Sequence, residues 1–545
     1  MYKWIKCIIF TTMFVQSETR GKQWKCPSPN GPCKCINNSG LLYADCRHRN
    51  LTKIPKFEQK YQRLKFSENI LYNLTYSTFE NIRFWSISEL FIGKCKIRTI
   101  AADTFDNITT LEFIDFSGNT EINIIQFTNW FSHSKLKGLD LSRMPLNSTT
   151  ITRFFNTNAS SSLTFLRLAS CKLTNLTKSM FEHLHNLKEI DLTGNSLGSF
   201  DLAVLPPVEA LVLHDIMLFD LSLLNNTWVY NLVRLDVGHN KIRDTSAIFK
   251  FGYMLGKLKF LSMDNNPLLN MPLDTFSELK SLYSLSLCHA LEYLNYLEGI
   301  QSKSLKYLNI SNNHLIFKPQ NITNVFYLSR NITNLLMHNT SLKSWTENEM
   351  YELFLPLCDN LLELRLTNSW FQNIPSKALR CFKKLDILDL SHNNITGWND
   401  DEKPFENVTV NIRFLLKNNS IQFINETSFP DSYMNNNSTL YLDFRGNNFS
   451  CTCKAHWFRN WMKANYYRLG GPLGNNLYCH SPPDMNGALF TNYDPSYEEC
   501  FGFEMEVTIG IVVCCSCIIL VSLTTYLVQL YQKKYPNKNM YTVIE

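Results

Sequence analysis

Cysteines carry the most chemistry in their spacing. Of the 17 in this 545-residue chain, eight fall into two tight clusters: Cys26, Cys33, Cys35 and Cys46, then Cys451, Cys453, Cys479 and Cys500. Thiols crowded in this way either ligate a metal or oxidise in pairs. Zinc sites favour two close Cys pairs, or one pair followed by a histidine pair. The first cluster has a C-x-C pair and no such histidines. Disulfides are the better reading, and they place the chain in an oxidising compartment. Four cysteines allow three pairings, and the spacing alone leaves them open.

Asparagine supplies the second chemistry. Asn-x-Ser/Thr accepts N-linked sugar in a secreted chain. It occurs at Asn37, Asn50, Asn73, Asn107, Asn147, Asn158, Asn175, Asn225, Asn309, Asn321, Asn331, Asn339, Asn407, Asn425 and Asn436. It recurs at Asn394, Asn418, Asn437 and Asn448; Asn436 adjoins Asn437 and Asn394 flanks a repeat position, so not all can be used. Residues 228–308 contain none. A glycan is bulky and a partner needs bare protein, so this gap marks a candidate recognition surface. No H-E-x-x-H, G-x-S-x-G or phosphate-cradling glycine loop stands out. The chain reads as a non-enzyme without cofactor or metal. Its formal charge of +6 is modest for the length and does not mark a nucleic-acid binder.

These groups need a scaffold, and the scaffold is a repeat. Leu385, Leu388, Leu390, Asn393 and Ile395 fit the leucine-rich repeat template L-x-x-L-x-L-x-x-N-x-L. Leu388 and Leu390 lie two apart, so a short strand turns both to one buried side. Asn393 is expected to bond the backbone of the next coil, where no ladder partner exists. The same frame holds Asn69, Asn195, Asn240, Asn266, Asn313 and Asn447, and passes through Cys95, Asn119, Met144, Cys171, Ile216, Ala290, Thr340, Ser369 and Asn419. That gives about 16 units spaced roughly 21–29 residues apart. The fold expected is an α/β solenoid, a leucine-rich repeat horseshoe with a concave parallel β-sheet over 61–449. Coils touch only their neighbours, so such a stack escapes the size limit of a single core. The gap in the sequons falls on the coils of Asn240, Asn266 and Ala290. His239 and His392 precede ladder asparagines, which explains them by position.

Cys358 and Cys381 occupy nearly the same phase of consecutive coils. Coils about 5 Å apart meet the Cα separation of about 4.4–6.8 Å that a disulfide needs, so a Cys358–Cys381 bridge is expected. Cys95 and Cys171 stand where a ladder asparagine would be and read as buried free thiols. Cys288 falls where a strand side chain should face outward.

Residues 1–17 read as a signal peptide, with Lys3 and Lys6 before a short apolar run. Residues 18–60 form an N-terminal cysteine cap and 450–505 a C-terminal one. Val507–Val528 is apolar and long enough to cross a bilayer as a single helix. Glu498, Glu499, Glu504 and Glu506 precede it and Lys533, Lys534 and Lys538 follow, which puts the N-terminus outside the plasma membrane. In the tail, 532–545, Tyr541 to Ile544 matches the Y-x-x-Φ pattern of sorting signals.

Between these ends, Asn447-Asn448-Phe449-Ser450-Cys451-Thr452-Cys453 resembles the opening of the C-terminal cap of the Toll-like receptor family, and Phe79, Phe105, Phe181 and Phe276 resemble its phenylalanine-lined convex side. The resemblance implies the pairings Cys26–Cys35, Cys33–Cys46, Cys451–Cys479 and Cys453–Cys500. It implies innate immune recognition of a microbial or protein ligand on the solenoid. That family signals through an intracellular TIR domain, which this sequence does not show; the chain is similar to TIR-less co-receptors and decoys. Candidate partners are the ligand, a membrane co-receptor with a TIR domain, and a second copy of the chain. A cell-adhesion or guidance protein is the alternative.

Overall fold

In the strand Ile387–Asp389 the side chains alternate. Leu388 and, just past the strand, Leu390 are buried, while Ile387 and Asp389 face the other side. Leu388 lies in register with Leu364 on one side and Phe414 on the other, both in parallel strands. The computed structural model describes residues 22–26, 31–38, 40–122, 124, 135–157, 162–291, 294–313, 322, 325–342, 345–397, 412–428, 441–465, 477–496, 499–500 and 505–534. Among these, a 19-stranded sheet runs the length of the solenoid. It opens with the antiparallel strands Lys22–Lys25, Lys34–Asn38 and Leu41–Asp45. Every pairing from Leu41–Asp45 through Tyr441–Asp443 is then parallel. Strands of three to five residues suffice because each coil contributes one to this sheet and returns by short 3-10 or α-helical turns on the opposite side.

The asparagine spine joins the coils. Asn393 Oδ1 accepts from Ser369 N (2.8 Å) and Phe371 N (3.3 Å), and its Nδ2 donates to Leu366 O and Leu390 O. Asn69, Asn119, Asn195, Asn240, Asn266, Asn313 and Asn419 bond in the same sense. This corrects one expectation: the amide reaches back to the preceding coil, not forward to the next. The reason lies in the turn. Nδ2 must cap its own strand-end carbonyl, such as Leu390 O, and this aims the amide at the coil already beside it.

The convex side is filled by phenylalanines. Phe79 is buried and stacks on Phe105 with centroids 5.3 Å apart, and Phe181 and Phe276 are buried too. Arg83, 1% exposed, threads between coils. Its guanidinium donates to the carbonyls of Tyr76, Thr104 and Asp106 and lies over the Tyr76 ring. Those carbonyls satisfy a charge that would otherwise be costly to bury.

Both ends are closed by cystines. Cα separations are 4.9 Å for Cys26–Cys35, 4.4 Å for Cys33–Cys46, 5.6 Å for Cys451–Cys479 and 5.1 Å for Cys453–Cys500. Cys358 and Cys381 are bridged across neighbouring coils at 5.2 Å. In the C-terminal cap the helix His456–Ala464 lays Phe458 and Trp461 on the last coil, with Phe458 5.9 Å from Phe444. Trp457 stacks on Trp461 at 6.0 Å. Beyond the cap, the helix Met505–Lys534 holds one candidate membrane span, Ile509–Lys534, with mean hydropathy 2.5. It continues past Val528 to the two lysines. Residues 1–17 and the Tyr541–Ile544 motif lie outside the described residues.

Candidate ligand-binding face

Each central strand turns its middle residue to the core and the residues on either side of it to the concave face. Charged side chains line the concave strands, and one run of them extends from Asp115 to Asp264. Arg167 Nε meets Asp191 at 3.0 Å and its Nη1 meets Asp140 at 3.3 Å, so one cation bridges three strands. Asp115 lies beyond that pair; burial, and then the neighbouring Asp140 carboxylate, push its carboxyl up to about 6. One turn along the solenoid, His214 Nδ1 lies 3.8 Å from Asp236, and the His214 ring stacks on His239 at 5.5 Å. Burial pulls the His214 imidazole down, but the hydrogen bond and charge of Asp236, with Asp215 and Asp264 beyond, outweigh it, and the net direction is up. Gly238 keeps this cluster open, because a Cβ there would lie 2.9 Å from His214 Nδ1.

Asp264 ends the run. Its Oδ1 accepts from Ser286 Oγ (2.6 Å) and Cys288 N (2.7 Å). Burial pushes its carboxyl up to about 7 against the pull of those two donors. Cys288 is buried, which corrects the expectation that it faces outward. Asp264 closes over it from one coil and Asn312 from the next, with Nδ2 at 3.2 Å from the sulfur. The Cys288 sulfur is also disulfide-bonded, so a side chain aimed at that face is covered by what it bonds to.

The coils from Met217 to Tyr283 also expose large apolar side chains. Met217, Phe219, Tyr230, Phe249, Tyr253, Leu269, Leu273 and Tyr283 are all exposed. Phe219 carries Lys241 over its ring at 5.2 Å. A depression of about 640 Å³ lies between two of these coils, with Leu221, Ala247 and Phe249 in its wall and Asp220, Asp244 and Lys250 at its edge.

The sequons sort by burial. Asn37, Asn50, Asn73, Asn107, Asn147, Asn175 and Asn225 are exposed, and Asn331, Asn339 and Asn425 are half-buried. Asn309 is different: it is 6% exposed on the concave strand and its Nδ2 donates to Ser286 Oγ. A sugar on that nitrogen would break the bond. Asn158, Asn321, Asn407 and Asn436 lie outside the described residues. Cys95 and Cys171 are buried thiols that donate to Phe66 O and Leu141 O. Sequence reasoning missed the Arg167 bridge, the His214–Asp236 pair and the exposed Trp370. The sequence gives each of them as an ordinary repeat position, and only the register between coils brings partners together.

The leucine rich repeat family models match residues 161–215 and 304–325. Over 333 residues the chain is 28% identical to Toll-like receptor 7 of Mus musculus, covering 58% of this chain and 30% of that protein. It is 27% identical over 189 residues to the CD180 antigen of Homo sapiens, covering 34% and 23%. It is 23% identical over 342 residues to the transforming growth factor beta activator LRRC33 of Danio rerio, covering 56% and 47%. The chain spans less than half the length of each of these relatives. On its repeats and these likenesses together, it is a leucine-rich repeat protein whose ectodomain is similar to those of Toll-like receptors and CD180.

Proposed function

We propose that this chain is an innate immune receptor, anchored by its apolar helix Met505–Lys534 in the plasma membrane with the solenoid outside, and that it binds a microbial or protein ligand on the coils between Tyr230 and Asn309. One coincidence supports the reading: the stretch without usable sequons is also where exposed apolar side chains crowd. Sugar is kept off surface that a partner covers, and exposed apolar patches mark such contacts. The alternation of Asp, His and Arg on the concave side supplies polar groups for orientation beside that apolar area.

Two single substitutions test it. Leu273→Asn creates Asn-Asp-Thr within the bare coils, and Phe84→Asn creates Asn-Trp-Ser far outside them. Cells displaying each full chain are offered labelled lipopolysaccharide, triacylated lipopeptide and flagellin. The expected result is that at least one probe binds wild type and Phe84→Asn, and that Leu273→Asn loses it. Binding of none, or equal binding to all three chains, contradicts the proposal.

A further inference from the structure

One exposed aromatic stands apart from the bare coils. Trp370 is 61% exposed and sits at φ +65°. Left-handed backbone is uncommon for a bulky side chain and persists only where the surroundings impose it. Here Asn393 Oδ1 imposes it by accepting from the N–H groups on either side, Ser369 and Phe371. The turn therefore holds an indole out in water, at a fixed place, with nothing apolar over it among the described residues.

The next coil puts a sequon beside it. Asn394 follows ladder residue Asn393 as Trp370 follows ladder residue Ser369, so the two occupy the same register in neighbouring coils. Asn394 N donates to Phe371 O at 2.9 Å and Thr396 N to Gln372 O at 3.3 Å, which lays Asn394-Ile395-Thr396 along the Trp370 segment. Asn394 and Thr396 are exposed while Ile395 is buried. The Asn394 amide is held through its oxygen, which accepts from Ser420 Oγ at 3.1 Å. This leaves the nitrogen to carry a substituent. Asn309 and Asn339 differ, because their nitrogens donate to Ser286 Oγ and Asn312 Oδ1.

We infer that Asn394 carries an N-linked glycan whose first sugar packs on the face of Trp370. In its formation Asn394 Nδ2 attacks C1 of the first N-acetylglucosamine of a lipid-pyrophosphate oligosaccharide. The N–C1 bond forms as the C1–O bond to pyrophosphate breaks; the lipid pyrophosphate leaves with the electron pair, and an amide proton passes to a base of the transferase. Neighbouring coils are about 5 Å apart, so the sugar attached at Asn394 falls within reach of the indole. The C–H edges of a pyranose are electropositive and the face of the ring is negative, so the two attract as they exclude water.

The inference rests on the solenoid facing the secretory lumen, and the test separates the two. The full chain is made in secretory cells as wild type, Trp370→Ala, Trp370→Phe and Asn394→Gln. Glycopeptides are mapped, and melting in detergent is followed before and after enzymatic removal of N-glycans. Asn394 is expected to be occupied. Trp370→Ala and Asn394→Gln should each lower the melting temperature by about 1–2 °C with sugars present, with Trp370→Phe in between, and Trp370→Ala should cause no shift once they are removed. A bare Asn394 on a chain glycosylated at Asn107 and Asn175 overturns the inference alone. So does a Trp370→Ala shift that is the same with and without sugar. A chain with no glycan anywhere overturns the lumenal reading, and this inference with it.

Discussion

Asn119 holds Lys96, one coil earlier, in left-handed backbone. Its Oδ1 accepts from Cys95 N and Ile97 N, and Lys96 between them sits at φ +57°. The same relation joins Asn195 to Lys172 (φ +62°) and Asn240 to Met217 (φ +65°). Where one asparagine takes a single N–H of a coil, as Asn419 takes Ile395 N, the residue before it keeps ordinary backbone. The spine therefore shapes the turns as well as joining them. Asn119→Ala removes four hydrogen bonds at a fully buried position and should cost about 2–4 kcal/mol, allowing for the groups left unpaired. Asn393, half exposed, should cost less on the same substitution. Denaturant unfolding of both variants checks the order; equal costs near zero would contradict it.

Two coils replace the asparagine with a thiol. Burial pushes Cys95 up to about 11 and Cys171 up to about 12, so neither forms thiolate near neutrality. Both should resist alkylation in the native chain at pH 8 and react on denaturation. Mass spectrometry after a short iodoacetamide pulse reads this; rapid native labelling of either would show that its coil opens.

The concave carboxyls make stability depend on pH in a defined sense. Asp264 is held near 7 and Asp115 near 6, both above the usual carboxylate value of about 3.9. A raised folded value favours the protonated form in the fold. The contribution is full below about pH 4 and is lost as pH rises through the folded values. His214, shifted upward, has the same sign. These groups should make the solenoid melt higher at pH 5 than at pH 8. Asp264→Asn keeps an oxygen for Ser286 and Cys288 and should flatten the slope and raise melting at pH 8. An unchanged slope in that variant would contradict the assignment.

Sugar mapping tests the reading of the sequons. Asn309 and Asn339 should be bare, because their amide nitrogens are committed to Ser286 and Asn312, and Asn107, Asn147 and Asn175 should be occupied. Heavy occupancy at Asn309 would contradict the concave packing described here.

Some of this was legible in the residues alone. The two-residue spacing of Leu388 and Leu390 and the recurrence of asparagine three further on determine strand, face and coil together. The Cys358–Cys381 contact followed from phase and a 5 Å rise. The direction of the asparagine bonds was not legible, since an amide between two coils can serve either, and only the need to cap Leu390 O decides. Burial of Cys288 and Asn309 escaped because period-2 alternation says which side a residue faces, not whether that side is covered. Trp370 escaped for another reason: Ser369 reads as a degenerate ladder position, and nothing local to it reports that Asn393 will force the next residue out.

The most direct measurement asks which side of the membrane the solenoid occupies. Intact cells expressing the full chain, epitope-tagged after Glu545, are treated with protease, and separately with an N-glycosidase. The account predicts loss of the solenoid to external protease with the tag protected, and a mobility shift on glycan removal. A solenoid that resists both treatments on intact cells would contradict it.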